Sequence, residues 1–168
     1  MTANSIETLL FDYSELHKQL KAKVADLTED QLTWKAAPGV WSVTEVLSHL
    51  TDHAIVVGFR IREILSASGA KLPAFDQNAW VASTRANESA ASDILAFYDA
   101  YLTYNLYLLK RLAPEDWAKT GLNAKGETVS LRDVVWGFVK HVLNHIGQIE
   151  RSRWPTPSCD RSAVRPRT

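Results

Sequence analysis

Apolar residues recur at the three- and four-residue spacing of an amphipathic helix in four stretches of the chain. This spacing predicts long helices over about residues 5–27, 43–65, 89–112 and 131–153. Ser42 is followed three residues later by Glu45, and Ser130 by Asp133, which is the spacing of a capping box at a helix start. No segment between the four stretches alternates apolar and polar residues for long enough to predict a strand. The pattern therefore predicts an all-α four-helix bundle.

The connection between the second and third predicted helices is much longer than a tight turn. It covers roughly 22 residues, which could extend on the order of 70 Å, whereas a 24-residue helix is only about 36 Å long. The connection could therefore run back along the bundle and leave these two helices parallel. Phe75 and Trp80 lie within it and are expected to pack on the bundle or to line a cleft.

The 168 residues, 46% hydrophobic and 23% charged, have the composition of one globular domain, which we expect to span residues 1–155, with a flexible tail over 156–168. Basic and acidic residues are equal at 19 each, so attraction to nucleic acid or to an anionic membrane is not expected. No stretch is apolar enough to predict a membrane span or a signal peptide, and a cytoplasmic location is expected. Cys159 is the only cysteine, which excludes an intramolecular disulfide.

Histidines supply the candidate chemistry. His141 and His145 are four residues apart in the fourth predicted helix, so their imidazoles rise from one face about one turn apart. Both fall on the apolar stripe, where each ring nitrogen left unpaired would cost roughly 1–3 kcal/mol. A metal ion would satisfy both rings, and a third imidazole from a neighbouring helix would complete a three-ligand site of the kind that zinc and similar divalent metals use.

The second predicted helix offers two candidates for that third ligand, because His49 and His53 are also four residues apart. On a helical wheel His53 lies beside Leu50 and Val57, whereas His49 lies about 40° further round, at the edge of the apolar stripe. Periodicity therefore favours His53. An edge position can still face a partner helix, so His49 stays a candidate, and a site with four ligands also fits the pattern. His17 has no partner four residues away and is expected to be structural or on the surface.

Two longer motifs extend this picture. They are the run Pro38–Ser42 with Glu45, His49 and Leu50, and the run Asn123–Arg132 followed by His141, His145 and Gly147–Ile149. In this order and spacing they resemble the starts of the second and last helices of the DinB/YfiT-like proteins, a four-helix-bundle family of metal-dependent enzymes. The resemblance covers about residues 5–155.

The resemblance implies up-down-down-up connectivity, and commonly a homodimer. It also implies a divalent transition metal, zinc or nickel, held by His49, His141 and His145. His53 would then lie next to these ligands without binding the metal, or act as a fourth ligand. Members of the family include transferases that use low-molecular-weight thiols, and others described as hydrolases. The implied chemistry is therefore activation of a thiol or of water for reaction with a small-molecule substrate. A metal-stabilised dimeric binding or interaction protein without catalysis is the alternative.

The sequence supplies no convincing general base for such chemistry. Glu45 is better explained by the capping box, and Asp52 by a solvated helix face. Gln148, three residues after His145, and Asn144 could donate hydrogen bonds that support the metal-binding imidazoles, a role that ligand histidines often require. Asn105 lies at the centre of the apolar stripe of the third helix, so its amide must find partners either at the metal site or on a neighbouring helix.

Overall fold

The computed structural model describes residues 5–69 and 71–151, so the predicted tail lies outside the described residues. Four long helices form the bundle that the periodicity predicts: α1 (Ile6–Val24), α3 (Val43–Ser66), α5 (Ala91–Leu109) and α6 (Leu131–Arg151). The connections contain two short helices, α2 (Glu29–Thr33) and α4 (Gln77–Ser83), and two 3-10 helices, Ala86–Glu88 and Pro114–Ala118. A hairpin of two short strands, β1 (Thr120–Leu122) and β2 (Thr128–Ser130), leads into α6.

Reciprocal side-chain hydrogen bonds fix the starts of α3 and α6. The amide of Glu45 donates to Oγ of Ser42 at 3.0 Å, and the amide of Ser42 donates back to the Glu45 carboxylate at 2.8 Å. Ser130 and Asp133 make the same pair of bonds at the start of α6, both at 3.1 Å. Each cap satisfies amides that have no partner within the helix, and such a cap is typically worth about 1 kcal/mol.

The expectation that the connections contain no strand is wrong. Strands β1 and β2 pair in antiparallel register, with Thr120 opposite Ser130 and Leu122 opposite Thr128. Each has only three residues, too few to show the alternation that identifies a strand in a sequence. The turn between them is tight because Gly126 adopts a φ of +81°, which favours glycine.

Helix α3 lies between α5 and α6, and α1 also packs against both. Successive contacts give the relative directions of these helices. Between α3 and α5 the residue numbers of the contacting pairs increase together: Gly58 lies against Tyr101, and Arg62 bonds to Asn105. Against α6 they advance in opposite senses: His49 with His145, then His53 with Phe138. Helix α3 therefore runs parallel to α5 and antiparallel to α6.

The core lies along the axis of the bundle. Leu16, Leu50, Leu131, Val142 and Ile149 are fully buried there, and burying a side chain of this size contributes roughly 1.5–3 kcal/mol. Within residues 5–69 and 71–151, no helix is both long enough and apolar enough to cross a membrane.

Candidate metal site

The structure brings His49, His141 and His145 together between α3 and α6. Nε2 of His49 lies 2.9 Å from Nε2 of His141. One ring nitrogen from each of the three histidines lies within 4.8 Å of the other two. Helical spacing places His141 and His145 on adjacent turns of α6, with ring centroids 4.5 Å apart, and the antiparallel packing of α3 adds His49. The arrangement is a compact cluster of three imidazoles, which we call the histidine cluster.

Burial keeps these imidazoles neutral. His49 is 1% exposed, and burial, with smaller contributions from the neighbouring His145 and His141, lowers its pKa to about 3. Burial and then the nearby His145 lower the pKa of His141 to about 4. The pKa of His145 is also lowered, mainly by burial. A neutral imidazole offers a nitrogen lone pair, so at neutral pH the cluster can bind a metal without first releasing protons from these rings.

A hydrogen bond determines which nitrogen of His145 is available. Its Nδ1 lies 2.7 Å from Oε1 of Gln148, an oxygen that can only accept, so Nδ1 carries the proton and Nε2 carries the lone pair. Gln148 thus contacts His145, but its side chain accepts the hydrogen bond and does not donate it as expected from the sequence. Nδ1 of His49 is buried with no hydrogen-bond partner among the described residues. The facing Nε2 atoms of His49 and His141 are therefore the atoms on which a ligand could act.

The histidine cluster fits a divalent transition metal. Two nitrogens bound tetrahedrally at the usual zinc distance stand about 3.3 Å apart. The 2.9 Å contact and the 4.8 Å limit of the cluster lie on either side of this separation. Within the described residues the cluster contains no carboxylate, so a bound ion would keep its full positive charge. Imidazole ligands suit zinc, nickel, copper and iron.

His53 lies beside the histidine cluster without joining it. Its ring centroid is 4.0 Å from that of His141 and 6.1 Å from that of His49, yet its nitrogens are not among the mutually close ligand atoms. Burial, then the nearby histidines and Arg60, lower its pKa to about 3. The helical wheel predicts that His53 points further into the bundle than His49, and this prediction is wrong. His49 is buried more deeply because α3 contacts α6 as well as α5.

Aromatic side chains surround the histidine cluster. The ring centroid of Trp41 lies 5.0 Å from that of His49 and 6.3 Å from that of His145. Phe75, from the long connection after α3, lies 6.2 Å from His49, and Trp80 packs on Phe75 at 4.9 Å. Of the two expected positions for Phe75 and Trp80, on the bundle or lining a cleft, these contacts agree with packing on the bundle. Apolar walls of this kind limit the access of water to the imidazoles.

Glu45 lies one turn before His49, but its carboxylate is committed to the helix start. Oε2 accepts the Ser42 amide at 2.8 Å, and Oε1 accepts from Nζ of Lys35 at 2.8 Å. Both oxygens are thus engaged, which agrees with the structural role expected from the sequence. Burial raises the pKa of Asp52, the other acidic residue weighed as an imidazole partner.

Two further candidates bond elsewhere. Asn105 is buried, and its Oδ1 accepts from Nη1 of Arg62 at 2.9 Å, while its side chain also hydrogen-bonds Tyr13. The partners of Asn105 are therefore on α3 and α1. These contacts agree with the expectation of bonds to neighbouring helices and not with a role at the histidine cluster. His17 pairs with Asp99 at 2.9 Å, in agreement with a structural role.

Sequence reasoning missed Arg60. Its Nε donates to the carbonyl oxygen of Pro73 at 3.2 Å, and its Nη2 donates to the same oxygen. This bond ties α3 to the segment that carries Phe75. The available signal was spacing, because Arg60 is seven residues after His53 and so lies on the same face of α3 two turns later.

Comparison with known proteins places this site in a family context. A model of the DinB superfamily matches residues 13–149. A protein of Bacillus pumilus described as a "Putative metal-dependent hydrolase" is 25% identical over 158 residues, which cover 91% of this chain and 90% of the relative. A protein of Bacillus licheniformis with the same description is 26% identical over 149 residues, covering 88% and 85% respectively.

Solved structures agree with the fold. YfiT from Bacillus subtilis, described as "a probable metal-dependent hydrolase with an unusual four-helix bundle topology", superposes with a TM-score of 0.83 at 21% identity, over 90% of this chain and 87% of that one. The mycothiol-dependent maleylpyruvate isomerase superposes with a TM-score of 0.72 at 13% identity, over 89% of this chain and 63% of that one. Since the family model covers most of the chain and the bundle is shared, this protein belongs to the DinB superfamily.

Proposed function

We propose that this protein is a metal-dependent enzyme in which His49, His141 and His145 hold a divalent transition metal, zinc or nickel. The observation that supports this most directly is the convergence of three neutral imidazoles, with their ligand atoms within 4.8 Å of one another. Such an ion, when bound, favours the deprotonated form of a thiol or of water at neutral pH. We further propose that the activated group is a low-molecular-weight thiol and that a small molecule is the partner in the reaction.

The surroundings of the histidine cluster favour a thiol over water. Hydrolysis generally requires a general acid or base to move a proton to the leaving group. Glu45, the carboxylate one turn from His49, is already held by Ser42 and Lys35. A thiol that adds to an electrophile needs less proton transfer, and the aromatic walls formed by Trp41 and Phe75 suit a soft, polarisable sulfur. The fold shared with a mycothiol-dependent isomerase adds support.

A metal-dependent hydrolase is the second candidate. The descriptions of the Bacillus relatives favour it, and the same three histidines would hold the ion. The two candidates differ in the group that is activated, so they can be separated by whether a reaction requires an added thiol.

Metal analysis tests the ligand assignment. Protein purified without a histidine tag or chelators, and then loaded with zinc or nickel, should contain one equivalent of metal. His49→Ala should lose that metal. His53→Ala, on the same helix one turn away, is the matched control and should retain it. Unchanged metal content in His49→Ala would refute the assignment, and a parent protein that takes up no metal would refute the site.

Activity assays test the chemistry. We expect metal-loaded protein to join low-molecular-weight thiols to an electrophile such as monochlorobimane, and the metal-free protein to lose this activity. Ester or amide cleavage without added thiol would favour the hydrolase instead. Metal binding with neither reaction, over a broad set of thiols, electrophiles and esters, would favour a binding protein without catalysis.

A further inference from the structure

A cavity of about 300 Å³ lies in the described part of the molecule where α3 and α6 meet the hairpin. We call it the hairpin cavity. Its polar lining comes from Arg60 of α3 and from Asn123 and Lys125 of the hairpin turn, and its apolar lining includes Leu72 and Val134. Two of these residues are cations, and no carboxylate is among the described lining residues.

The hairpin cavity and the histidine cluster both involve α3 and α6, at different levels along the bundle. Arg60 follows His49 by eleven residues on α3, and Val134 precedes His141 by seven and His145 by eleven on α6. Seven and eleven residues are about two and three helical turns, so these positions share a face and lie roughly 10–17 Å further along the helix axis. The rings of His53 and Phe138, 5.6 Å apart, lie between these two levels. The contact between α3 and α6 therefore has a potential metal site at one level and two cations at the other.

Arg60 has donors left for a ligand. Two of its five N–H groups point to the Pro73 carbonyl oxygen, which leaves three. Within residues 5–69 and 71–151 it forms no ion pair with an acidic side chain. Burial also lowers its pKa from the ordinary value. A partly buried guanidinium that lacks a carboxylate partner is stabilised by an anion, which it can hold through two parallel hydrogen bonds.

We propose that the hairpin cavity binds a carboxylate or phosphate group of the substrate. The substrate is then an elongated organic anion, with its reacting atom at the histidine cluster and its anionic group roughly 10–17 Å away, beside Arg60 and Lys125. The side chains of Leu72 and Val134 provide apolar contacts for the carbon chain next to its anionic group. The position of the reacting end rests on the proposed function, whereas binding of the anion itself does not depend on a metal.

Titration of the metal-free protein with simple anions tests the cavity. Methylphosphonate and propionate are added separately, and NMR follows the side-chain Nε–H signal of Arg60 where it is present and the backbone amide signals of the hairpin turn in every variant. We expect saturable shifts, with binding weakened about tenfold in Arg60→Gln and several-fold in Lys125→Gln. Arg111→Gln, at an exposed position after α5, is the matched control and should bind as the parent does. The probe that binds more tightly identifies the anionic group.

Lys125→Gln separates loss of charge from distortion of the fold. Arg60 also holds the segment near Pro73, whereas the side chain of Lys125 forms no hydrogen bond or ion pair in the described structure. The inference is wrong if neither probe shifts the Arg60 signal, or if Arg60→Gln and Lys125→Gln bind both probes as tightly as the parent.

A distance measurement tests the link to the histidine cluster. In protein loaded with paramagnetic cobalt(II), relaxation of the phosphorus nucleus of methylphosphonate should place it roughly 10–17 Å from the ion. A phosphorus bound directly to cobalt, and insensitive to Arg60→Gln, would contradict the inference. If the protein binds no metal, the metal-free titration still tests the cavity, so failure of the proposed function and failure of this inference can be distinguished.

Discussion

Mild acid should destabilise the metal-free protein through its buried histidines. The pKa of His49 is lowered from 6.5 to about 3 by burial. Between these values the unfolded chain takes up a proton that the folded protein excludes. A base with a lower pKa in the folded state contributes its full stability above pH 6.5, and this contribution is lost as the pH falls toward 3.

The loss can be estimated for His49. Between pH 7 and pH 5 the difference in proton uptake corresponds to about 2 kcal/mol of unfolding free energy. His53 and His141, with pKa values of about 3 and about 4, act in the same direction. They are less buried than His49, so water reduces their shares. A total loss of about 2–4 kcal/mol is a large fraction of the stability of an ordinary domain.

Urea unfolding of the metal-free protein at pH 7, 6 and 5 measures this loss. The midpoint should fall steadily while the slope with urea stays constant, because the surface exposed on unfolding does not change. His49→Gln removes the titrating ring, so its stability should vary less with pH, by about 2 kcal/mol over the same range. A parent protein equally stable at pH 7 and pH 5, or a variant with the same pH dependence as the parent, would refute the reasoning.

Other substitutions test individual contacts. Gln148→Leu should weaken zinc binding about 10–100-fold, measured by competition with a fluorescent chelator, and unchanged affinity would exclude a role for this bond. Ser42→Ala should lower the free energy of unfolding by about 1 kcal/mol, measured in urea, and full stability would show that the cap is dispensable. Gly137→Ala should raise the melting temperature, because nothing lies within 4 Å of the added methyl group and alanine favours a helix by about 1 kcal/mol. Gly58→Ala is its matched contrast and should lower the melting temperature, because the methyl group would meet the hydroxyl of Tyr101; equal shifts would contradict both.

The parts of the fold that depend on local chemistry could be predicted from the sequence. The capping boxes at Ser42 and Ser130 mark the first residues of α3 and α6, because the bonds that form them join residues three apart. The predicted C-terminal ends of α1 and α5 each lie three residues beyond the observed ends, since apolar residues continue past the last helical turn. Helices α2 and α4 and the hairpin were not predicted, because three to seven residues are too few to show a period.

The candidate site shows a different limit, which concerns packing. His141 and His145 could be paired from spacing alone, because one helix holds both. The choice between His49 and His53 depends on which side of α3 faces α6, and a helical wheel assumes one buried stripe. Because α3 packs against two long helices, its buried surface is broader than one stripe and includes Glu45 and His49. A hydrophobicity scale would assign both residues to the exposed face of the helix. Polar residues stay at such positions only where partners compensate for lost water. Glu45 has Ser42 and Lys35, whereas Nε2 of His49 faces another imidazole nitrogen, Nε2 of His141, so the position at which the pattern fails is also the position best explained by a ligand.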